Sequence, residues 1–321
     1  FQDQISGETF QIRGRITVNA TGHWVDSVRD MLGKDTRAMV RRTKGIHLLT
    51  HKFSRNAVVL FAFSDGRLFF VIPWQDYSLI GTTDTDYTGD LDAVDAESND
   101  VSYLLKEAKH IFPDLEARHI FYTSAGLRAL ARSSSKRPGD VSRSHRLIDH
   151  EREDGIGGFI SVVGGKITAY RAVAEQTVDI VCQKLALKAP CTTAEAPLPG
   201  APKVKQQSVQ QASNELGLSL DTVSHLASLY GSRFSQICDL LDSDAKGAQR
   251  LCPHCPDILA QVQHALEQEG ALTLEDFLLR RSSVGLGPCQ GLDALDLVAS
   301  EMGRLLRWNH AEHERQTEAY R

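Results

Sequence analysis

The turn formed by Gly164, Gly165 and Lys166 has the residue types of a small anion-binding site. It follows an apolar run typical of a buried strand, 159–163, and precedes a helix that the apolar spacing predicts over 167–187. A lysine is unfavourable at the start of a helix, where free N–H groups are electropositive, so a shared anion such as phosphate would stabilise both. The glycines would let the backbone approach that ligand closely. A tight turn with a solvated lysine is the simpler alternative.

The stretch from Arg128 to Arg146 is strongly basic in a chain that is acidic overall. It contains six basic residues and one acid, Asp140, whereas the whole chain has 36 basic and 41 acidic residues and a net charge of -5. Arginine suits bidentate contact with phosphate or carboxylate, which favours an acidic small molecule, and a solvated loop is the alternative. The negative charge and the lack of interleaved aromatic residues argue against a nucleic-acid partner. Arg128, which follows apolar sequence, is the best ligand candidate in the stretch.

His47 lies in an apolar segment, 46–49, at the end of a predicted strand. A histidine in such a place is more often a core residue than a catalyst. If it faces a cleft, its ordinary pKa suits proton transfer near neutral pH.

Two groups of residues are spaced like part of a metal-binding site, but each lacks at least one of the ligands that such a site needs. Asp84, Asp86 and Asp90 resemble part of a calcium loop, but the closing glutamate is missing, so a turn is the better interpretation. The late cysteines, Cys252, Cys255 and Cys289, include a Cys-x-x-Cys pair, and only His254 could complete a set of four ligands. We therefore expect ordinary reduced thiols and no metal.

The pattern of predicted elements indicates a mixed α/β part followed by a helical part. Strands predicted over 57–63 and 67–73 flank Ser64-Asp65-Gly66, which is a strong hairpin signal, and a third strand at 78–82 favours an antiparallel sheet. The proline-rich segment 197–202 marks a boundary. Other strands are predicted at 10–18 and 146–148, and a strand followed by a turn is predicted over 120–130. Helices are predicted at 25–32, 101–112, 209–216, 220–230, 234–241, 257–269, 274–281 and 293–308.

Five segments, in order along the chain, resemble those of the FAD-dependent glycerol-3-phosphate dehydrogenases. They are 18–26, 44–47, 72–90, 125–128 and 163–171. The resemblance implies an α/β (α+β) fold in which an incomplete FAD-binding domain is interleaved with an antiparallel-sheet substrate domain, followed by an all-α C-terminal domain. We expect the FAD-binding parts at 1–40 and 131–196, the substrate domain at 41–130 and the helical domain at 197–321. The glycine-rich βαβ unit of the family is absent from these residues, and we expect the intact gene to encode it upstream of Phe1.

The resemblance also implies roles for individual residues. Arg128 would bind the substrate phosphate with Arg143 as a second contact, His47 would be the general base, and Thr83 would touch the substrate. Lys166 would lie near the reacting hydroxyl. The residues implied to contact FAD are Thr21, Gly22, Trp24, Gly164, Gly165, Lys166 and Thr168.

The activity that the resemblance implies is oxidation of sn-glycerol 3-phosphate to dihydroxyacetone phosphate, with FAD as cofactor and a quinone as electron acceptor. A glycerol-3-phosphate oxidase that uses oxygen is one alternative, and a non-catalytic fragment or scaffold module is another. Family membership further implies a cytoplasmic protein with peripheral contact to the cytoplasmic membrane. The oligomeric state is left open, with a homodimer among the options.

Overall fold

The structure is a computed structural model that describes residues 1–33, 37–132 and 144–321. The chain divides into two compact units, Phe1–Glu195 and Ala196–Arg321. The division falls next to the proline-rich segment that begins at Pro197. No helix among the described residues is long and apolar enough to cross a membrane.

The described part of the first unit contains strands and a few helices. The strands are β1 (Thr17–Asn19), β2 (Val40–His51), β3 (Val58–Phe61), β4 (Leu68–Trp74), β5 (Tyr77–Gly81), β6 (Thr85–Asp86), β7 (Ile120–Ala131), β8 (Arg146–Asp149) and β9 (Phe159–Val163). The α-helices are α1 (Val25–Asp30), α2 (Ser98–Lys109), α3 (His150–Glu153) and α4 (Tyr170–Lys184). Short 3-10 turns occur at Gly22–Trp24, Ala117–His119 and Ile167–Ala169.

A three-stranded sheet joins the two ends of the first unit. Its order is β1-β9-β8, with β1 parallel to β9 and β8 antiparallel to β9. Because the carboxyl ends of parallel strands meet at one edge of a sheet, the turn after β1 and the turn after β9 lie side by side. Gly22 and Gly164 are thereby brought to the same edge, although they are far apart in sequence.

A larger antiparallel sheet is built from the middle of the unit. Its order is β3-β4-β5-β2-β6, and β7 also pairs with β2 along nearly all of its length. The predicted hairpin over Ser64-Asp65-Gly66 joins β3 to β4. Residues 120–130, predicted as a strand and a turn, instead form one continuous strand, because β2 supplies backbone partners as far as Ala131.

One face of this sheet carries the apolar core of the first unit. Ile46 and Leu48 of β2 are fully buried against Leu104 of α2. The buried Lys44 pairs at 2.8 Å with both Glu97 and Asp100, the two residues of the capping box that starts α2. Since neighbouring residues of a strand point to opposite faces, Gly45 and His47 face away from this core.

The second unit is helical. Its α-helices are α5 (Gln206–Leu216), α6 (Leu220–Tyr230), α7 (Phe234–Ser243), α8 (Ala260–Glu269), α9 (Leu295–Leu306) and α10 (His310–Tyr320), with a π-helix at Asp276–Arg281. Two apolar cores hold it together, one around Leu226 and Ile237 and the other around Phe277 and Val298.

Local signals predicted some helix ends of the second unit and missed others. Thr273 and Asp276 exchange backbone-to-side-chain hydrogen bonds of 3.0 and 3.1 Å, which confirms the predicted helix start. Helix α10 was not predicted because its polar sequence has no apolar periodicity. It is held by Asn309, which caps its first turn, and by Gln316, which accepts a hydrogen bond from the Leu274 amide.

Two elements of the first unit are shorter than predicted. Of the strand expected at 10–18, only Thr17–Asn19 forms, where β9 offers a partner. The helix expected at 167–187 begins as a 3-10 turn, becomes α-helical at Tyr170 and ends at Lys184.

Candidate functional site

A cavity of about 1130 Å³ opens in the first unit at the carboxyl end of β9. This volume is slightly above the range of about 300–1,000 Å³ that is common for small-ligand sites. The walls are mainly apolar and come from the turn after β1, the end of β7, the turn after β9 and one face of α4. The residues that line the cavity include Gly22, His23, Arg128, Gly164, Gly165, Lys166, Thr168 and Val178.

The turn after β9 presents bare backbone to this cavity. Gly164 and Gly165 have φ angles of +74° and +101°, which side chains rarely adopt. A Cβ on Gly164 would also lie 3.1 Å from the Ser144 carbonyl oxygen, and one on Gly165 would lie 3.1 Å from Cβ of His145. Glycine is therefore required here for both conformation and space.

Lys166 and Thr168 follow this turn and also line the cavity. Lys166 is extended and precedes the 3-10 turn Ile167–Ala169, so it lies four residues before the α-helix proper. Lys166 is exposed and lines the cavity, so its ammonium group can reach a ligand there.

Arg128 projects from β7 across β2. Its guanidinium lies over Gly45, where a Cβ would overlap both terminal nitrogens. Nη2 donates to the Thr82 hydroxyl at 2.8 Å and to the Thr83 carbonyl at 3.1 Å, and Nη1 donates to Asp84 at 3.3 Å. The side chain is one-quarter exposed and lines the cavity, so a fixed cation stands at its wall.

His47 lies on the same face of β2 as Gly45, two residues further along. Its ring packs against Gly81 of β5, where a Cβ would overlap the imidazole. Burial lowers the pKa of His47 below its ordinary value of 6.5, and the charge of Arg128 lowers it further. The imidazole is therefore neutral near pH 7 and able to accept a proton.

Thr83 and Thr82 make different contacts in the site: Thr83 bonds to β2 and Thr82 bonds to Arg128. Thr83 is 2% exposed, and its hydroxyl accepts a hydrogen bond of 3.0 Å from the Ile46 amide. It positions the strand that bears His47, while Thr82 contacts Arg128. Neither Thr82 nor Asp84 was singled out as a ligand-site residue, because only the fold brings this turn next to β7.

The turn after β1 contributes Gly22 and His23 to the cavity. Gly22 has a φ of +61°. Thr21 and Trp24 do not belong to the lining: the Thr21 hydroxyl donates to Asn19, and the Trp24 indole donates to Asp92. His23, whose ring centroid lies 3.6 Å from that of Trp24 with the two planes tilted by 36°, was not predicted and carries no distinctive local signal.

Arg143, predicted as a second phosphate contact, lies outside the described residues, as do Lys136 and Arg137. Two of the three acids of the calcium-like segment have arginine partners, and Asp90 accepts a hydrogen bond from the Asp92 amide. Asp84 pairs with Arg128, and Asp86 pairs with Arg41 at 2.5 Å.

His150 takes part in an arrangement that resembles a catalytic triad. Its Nδ1 lies 2.5 Å from Asp154 and its Nε2 lies 2.9 Å from the Ser161 hydroxyl. A nucleophile must be reached by substrate, but Ser161 and His150 are 0% and 1% exposed. These contacts join α3 to β9 and are structural.

Comparison with known proteins identifies the family. Residues 2–171 match the family model described as "FAD dependent oxidoreductase", and residues 191–313 match "C-terminal domain of alpha-glycerophosphate oxidase". This chain belongs to the FAD-dependent oxidoreductase family. The first match covers both sheets and the cavity wall as far as the start of α4.

The relatives of this FAD-dependent oxidoreductase include named glycerol-3-phosphate dehydrogenases. One from Synechocystis sp. is 36% identical over 99% of this chain and 61% of its own length. The aerobic glycerol-3-phosphate dehydrogenase of Bacillus subtilis is 31% identical over 88% of this chain and 52% of its own length. These matches confirm the resemblance seen in the five segments.

A solved structure of a related protein has the same fold as this chain. The glycerol-3-phosphate dehydrogenase of Bacillus halodurans, complexed with FAD, aligns with a TM-score of 0.84 and 30% identity. The alignment covers 99% of this chain and 63% of that one. It confirms the predicted fold class, and the chain spans roughly half to two thirds of the length of these relatives.

Proposed function

We propose that this chain forms the substrate-binding and C-terminal parts of an enzyme that oxidises sn-glycerol 3-phosphate to dihydroxyacetone phosphate with FAD. One observation carries the proposal. The guanidinium of Arg128 is held over Gly45, on the face of the sheet that bears His47, and it lines the same cavity as the Gly164-Gly165 turn. In this proposal Arg128 is the phosphate ligand and the Gly164-Gly165 turn is the cofactor platform. The neutral base is His47, which is not itself among the residues that line the cavity but feels the charge of Arg128.

The apolar lining of the cavity suits a flavin. Its apolar walls suit the faces of an isoalloxazine ring, and its glycine turn leaves backbone where a Cβ would otherwise intrude. Gly22, Gly164, Gly165, Lys166 and Thr168 would hold the ring, whereas Thr21 and Trp24 would act through the turn after β1. When bound, FAD would supply the hydride acceptor for C2 of the substrate.

The residues of the chain would perform the remaining steps. Arg128 would bind the phosphate through charge-assisted hydrogen bonds, with Arg143 as the second contact that the sequence suggests. His47 would remove the proton from the C2 hydroxyl as the carbonyl forms. Lys166 and the backbone of the glycine turn would stabilise negative charge at the flavin edge. Thr83 would hold β2, and with it His47, in position by accepting the hydrogen bond from the Ile46 amide.

We extend the proposal to a quinone acceptor and to peripheral membrane contact. A membrane quinone is dissolved in lipid, so an enzyme that reduces it must reach the bilayer surface. The alternative acceptor is oxygen. The observation that supports it is the match of residues 191–313 to a domain named for an oxidase. Comparing a quinone analogue with oxygen as acceptor separates the two.

The test uses the protein in which this chain occurs. We expect glycerol 3-phosphate, but not glycerol, to reduce a quinone analogue rapidly. Arg128→Lys should lower kcat/KM for the phosphorylated substrate about 10- to 150-fold, as expected for loss of about 1.5–3 kcal/mol of charged hydrogen bonding. Arg118→Ala, a change in an exposed arginine, is the matched control. Equal activity on both alcohols, or an unaffected Arg128→Lys variant, would refute the proposal.

A further inference from the structure

The second unit brings thiol groups together beneath its surface. Cys252 and Cys255 lie in a loop before α8, each 5% exposed, with sulfur atoms 3.1 Å apart. The loop is closed by the Leu251 amide, which donates to the Asp257 carbonyl, and by Arg250, which donates to the Cys255 carbonyl. These two hydrogen bonds hold the loop without using the sulfur atoms.

Two donors from a loop more than thirty residues later in the chain meet His254, which lies between the two cysteines. The ligand atoms of His254, Cys289 and Asp293 all lie within 4.8 Å of one another, and His254 Nε2 is 3.3 Å from Asp293 Oδ2. Cys289 also packs against the apolar core that contains Cys252 and Cys255. Cys289 thus links the buried thiols to the partly exposed imidazole and carboxylate.

The loop that carries Cys289 is anchored on its other side. The Tyr320 hydroxyl donates to the Gln290 carbonyl at 2.9 Å, and Gly291 has a φ of +76°. A Cβ at Gly291 would lie 2.6 Å from the same hydroxyl. The end of α10 therefore holds Cys289 and Asp293 in place.

The donor types favour one class of cation. Thiolate and imidazole ligands suit Zn²⁺ and are poor ligands for Mg²⁺ or Ca²⁺. Tetrahedral zinc, with bonds of about 2.0–2.3 Å, separates its ligand atoms by about 3.3–3.8 Å. Small side-chain movements would therefore bring the ligand atoms of His254, Cys289 and Asp293, which lie within 4.8 Å of one another, onto one ion. The exposed His254 and Asp293 leave a route for the ion to enter.

We propose that His254, Cys289 and Asp293 bind Zn²⁺, and that a water molecule or the Cys252 thiol, which hydrogen-bonds to Cys255, supplies the fourth ligand. The cysteine spacing alone had predicted no metal, since only His254 could complete the set. The fold adds Asp293, a carboxylate that this spacing does not reveal. Zn²⁺ bound here would join the loop before α8 to the loop before α9 and stabilise the second unit.

The experiment measures metal binding directly and does not depend on oxidoreductase activity. The protein is purified under reducing conditions, stripped with a chelator and titrated with Zn²⁺ in competition with a chromophoric chelator. We expect about one Zn²⁺ per chain and a higher Tm when it is bound. Replacement by Co²⁺ should give sulfur-to-cobalt charge transfer and the intense visible bands of tetrahedral cobalt.

Variants assign the ligands. Cys289→Ser and His254→Ala should each weaken Zn²⁺ binding at least about 10-fold, because each removes a ligand. Cys238→Ser, which alters a thiol of α7 outside this cluster, should leave binding unchanged. A folded, fully reduced protein that binds no Zn²⁺ would overturn the proposal.

Discussion

The guanidinium of Arg128 lies so close to the α-carbon of Gly45 that residue 45 has no room for a side chain. The two residues belong to neighbouring antiparallel strands, and Gly45 pairs directly with Gly126 on the strand that carries Arg128. Two glycines thus face each other across β2 and β7, but only one lies under the arginine. This difference gives a matched pair of substitutions.

Gly45→Ala should displace the guanidinium of Arg128 while leaving the fold intact. The obstructing atoms are at the far end of a flexible side chain, so the backbone need not move. We expect kcat/KM for glycerol 3-phosphate to fall about 10- to 150-fold, from loss of about 1.5–3 kcal/mol of charged contacts. Steady-state kinetics and circular dichroism of the variant measure the two effects.

Gly126→Ala provides the control, since a Cβ there would meet no atom within 4 Å. It should change kcat/KM little and alter stability by no more than about 1 kcal/mol. If both alanine variants lose activity equally, the contact between Gly45 and Arg128 is not the cause.

The pH profile should report the environment of His47. Burial and then the charge of Arg128 lower its pKa, so the imidazole stays neutral until the pH falls below its ordinary value of 6.5. A general base must be neutral, and kcat/KM should therefore decline only on the acid side of that value. In Arg128→Ala, the residual activity should decline at a higher pH, because one of the two causes is removed.

His47→Gln should abolish this acid limb together with most of the activity. Substitution of the exposed His110 should leave the profile unchanged. An acid limb that survives in His47→Gln would assign proton transfer to another group.

The second unit should lose stability in acid through Asp257. Burial would raise the pKa of this carboxyl, but the contacts with His225, Ser283 and Gln261 outweigh burial and hold the pKa below its ordinary value of 3.8. A lowered pKa in the folded state stabilises the fold above the unfolded pKa, and this contribution disappears as the pH falls through the folded pKa.

Asp257→Asn should therefore lower the free energy of unfolding by about 1–3 kcal/mol near neutral pH and by less in acid. Urea unfolding of both proteins across the acidic range measures the difference. Asp242→Asn, at an exposed position in the same unit, should have little effect at any pH. A deficit in Asp257→Asn that stays constant down to the lowest pH would contradict the titration of Asp257.

The 321-residue chain alone should bind FAD poorly and have little activity. The apolar face of α4 lines the cavity, yet Val178 on that face is 53% exposed, so these described residues would cover a flavin from one side only. Dialysis with FAD followed by absorbance measures retention. A stoichiometric flavin spectrum after dialysis would show that the chain is sufficient.

The sequence by itself determined the local features of this protein. Gly-Gly after a buried strand predicted the turn at 164–165, and Ser64-Asp65-Gly66 predicted the hairpin, because both depend on backbone preferences of neighbouring residues. Five short motifs were enough to predict the family, which the comparisons confirm. The roles proposed for Arg128 and His47 remain predictions.

Only the tertiary structure decided which distant residues meet. Parallel pairing of β1 with β9 places Gly22 beside Gly164, and pairing of β2 with β7 places Arg128 over Gly45. The same is true of Cys289 and Asp293, which reach His254 across the second unit. Strand register and helix packing set these contacts through the cooperative burial of apolar side chains, and no local pattern in the sequence encodes that choice.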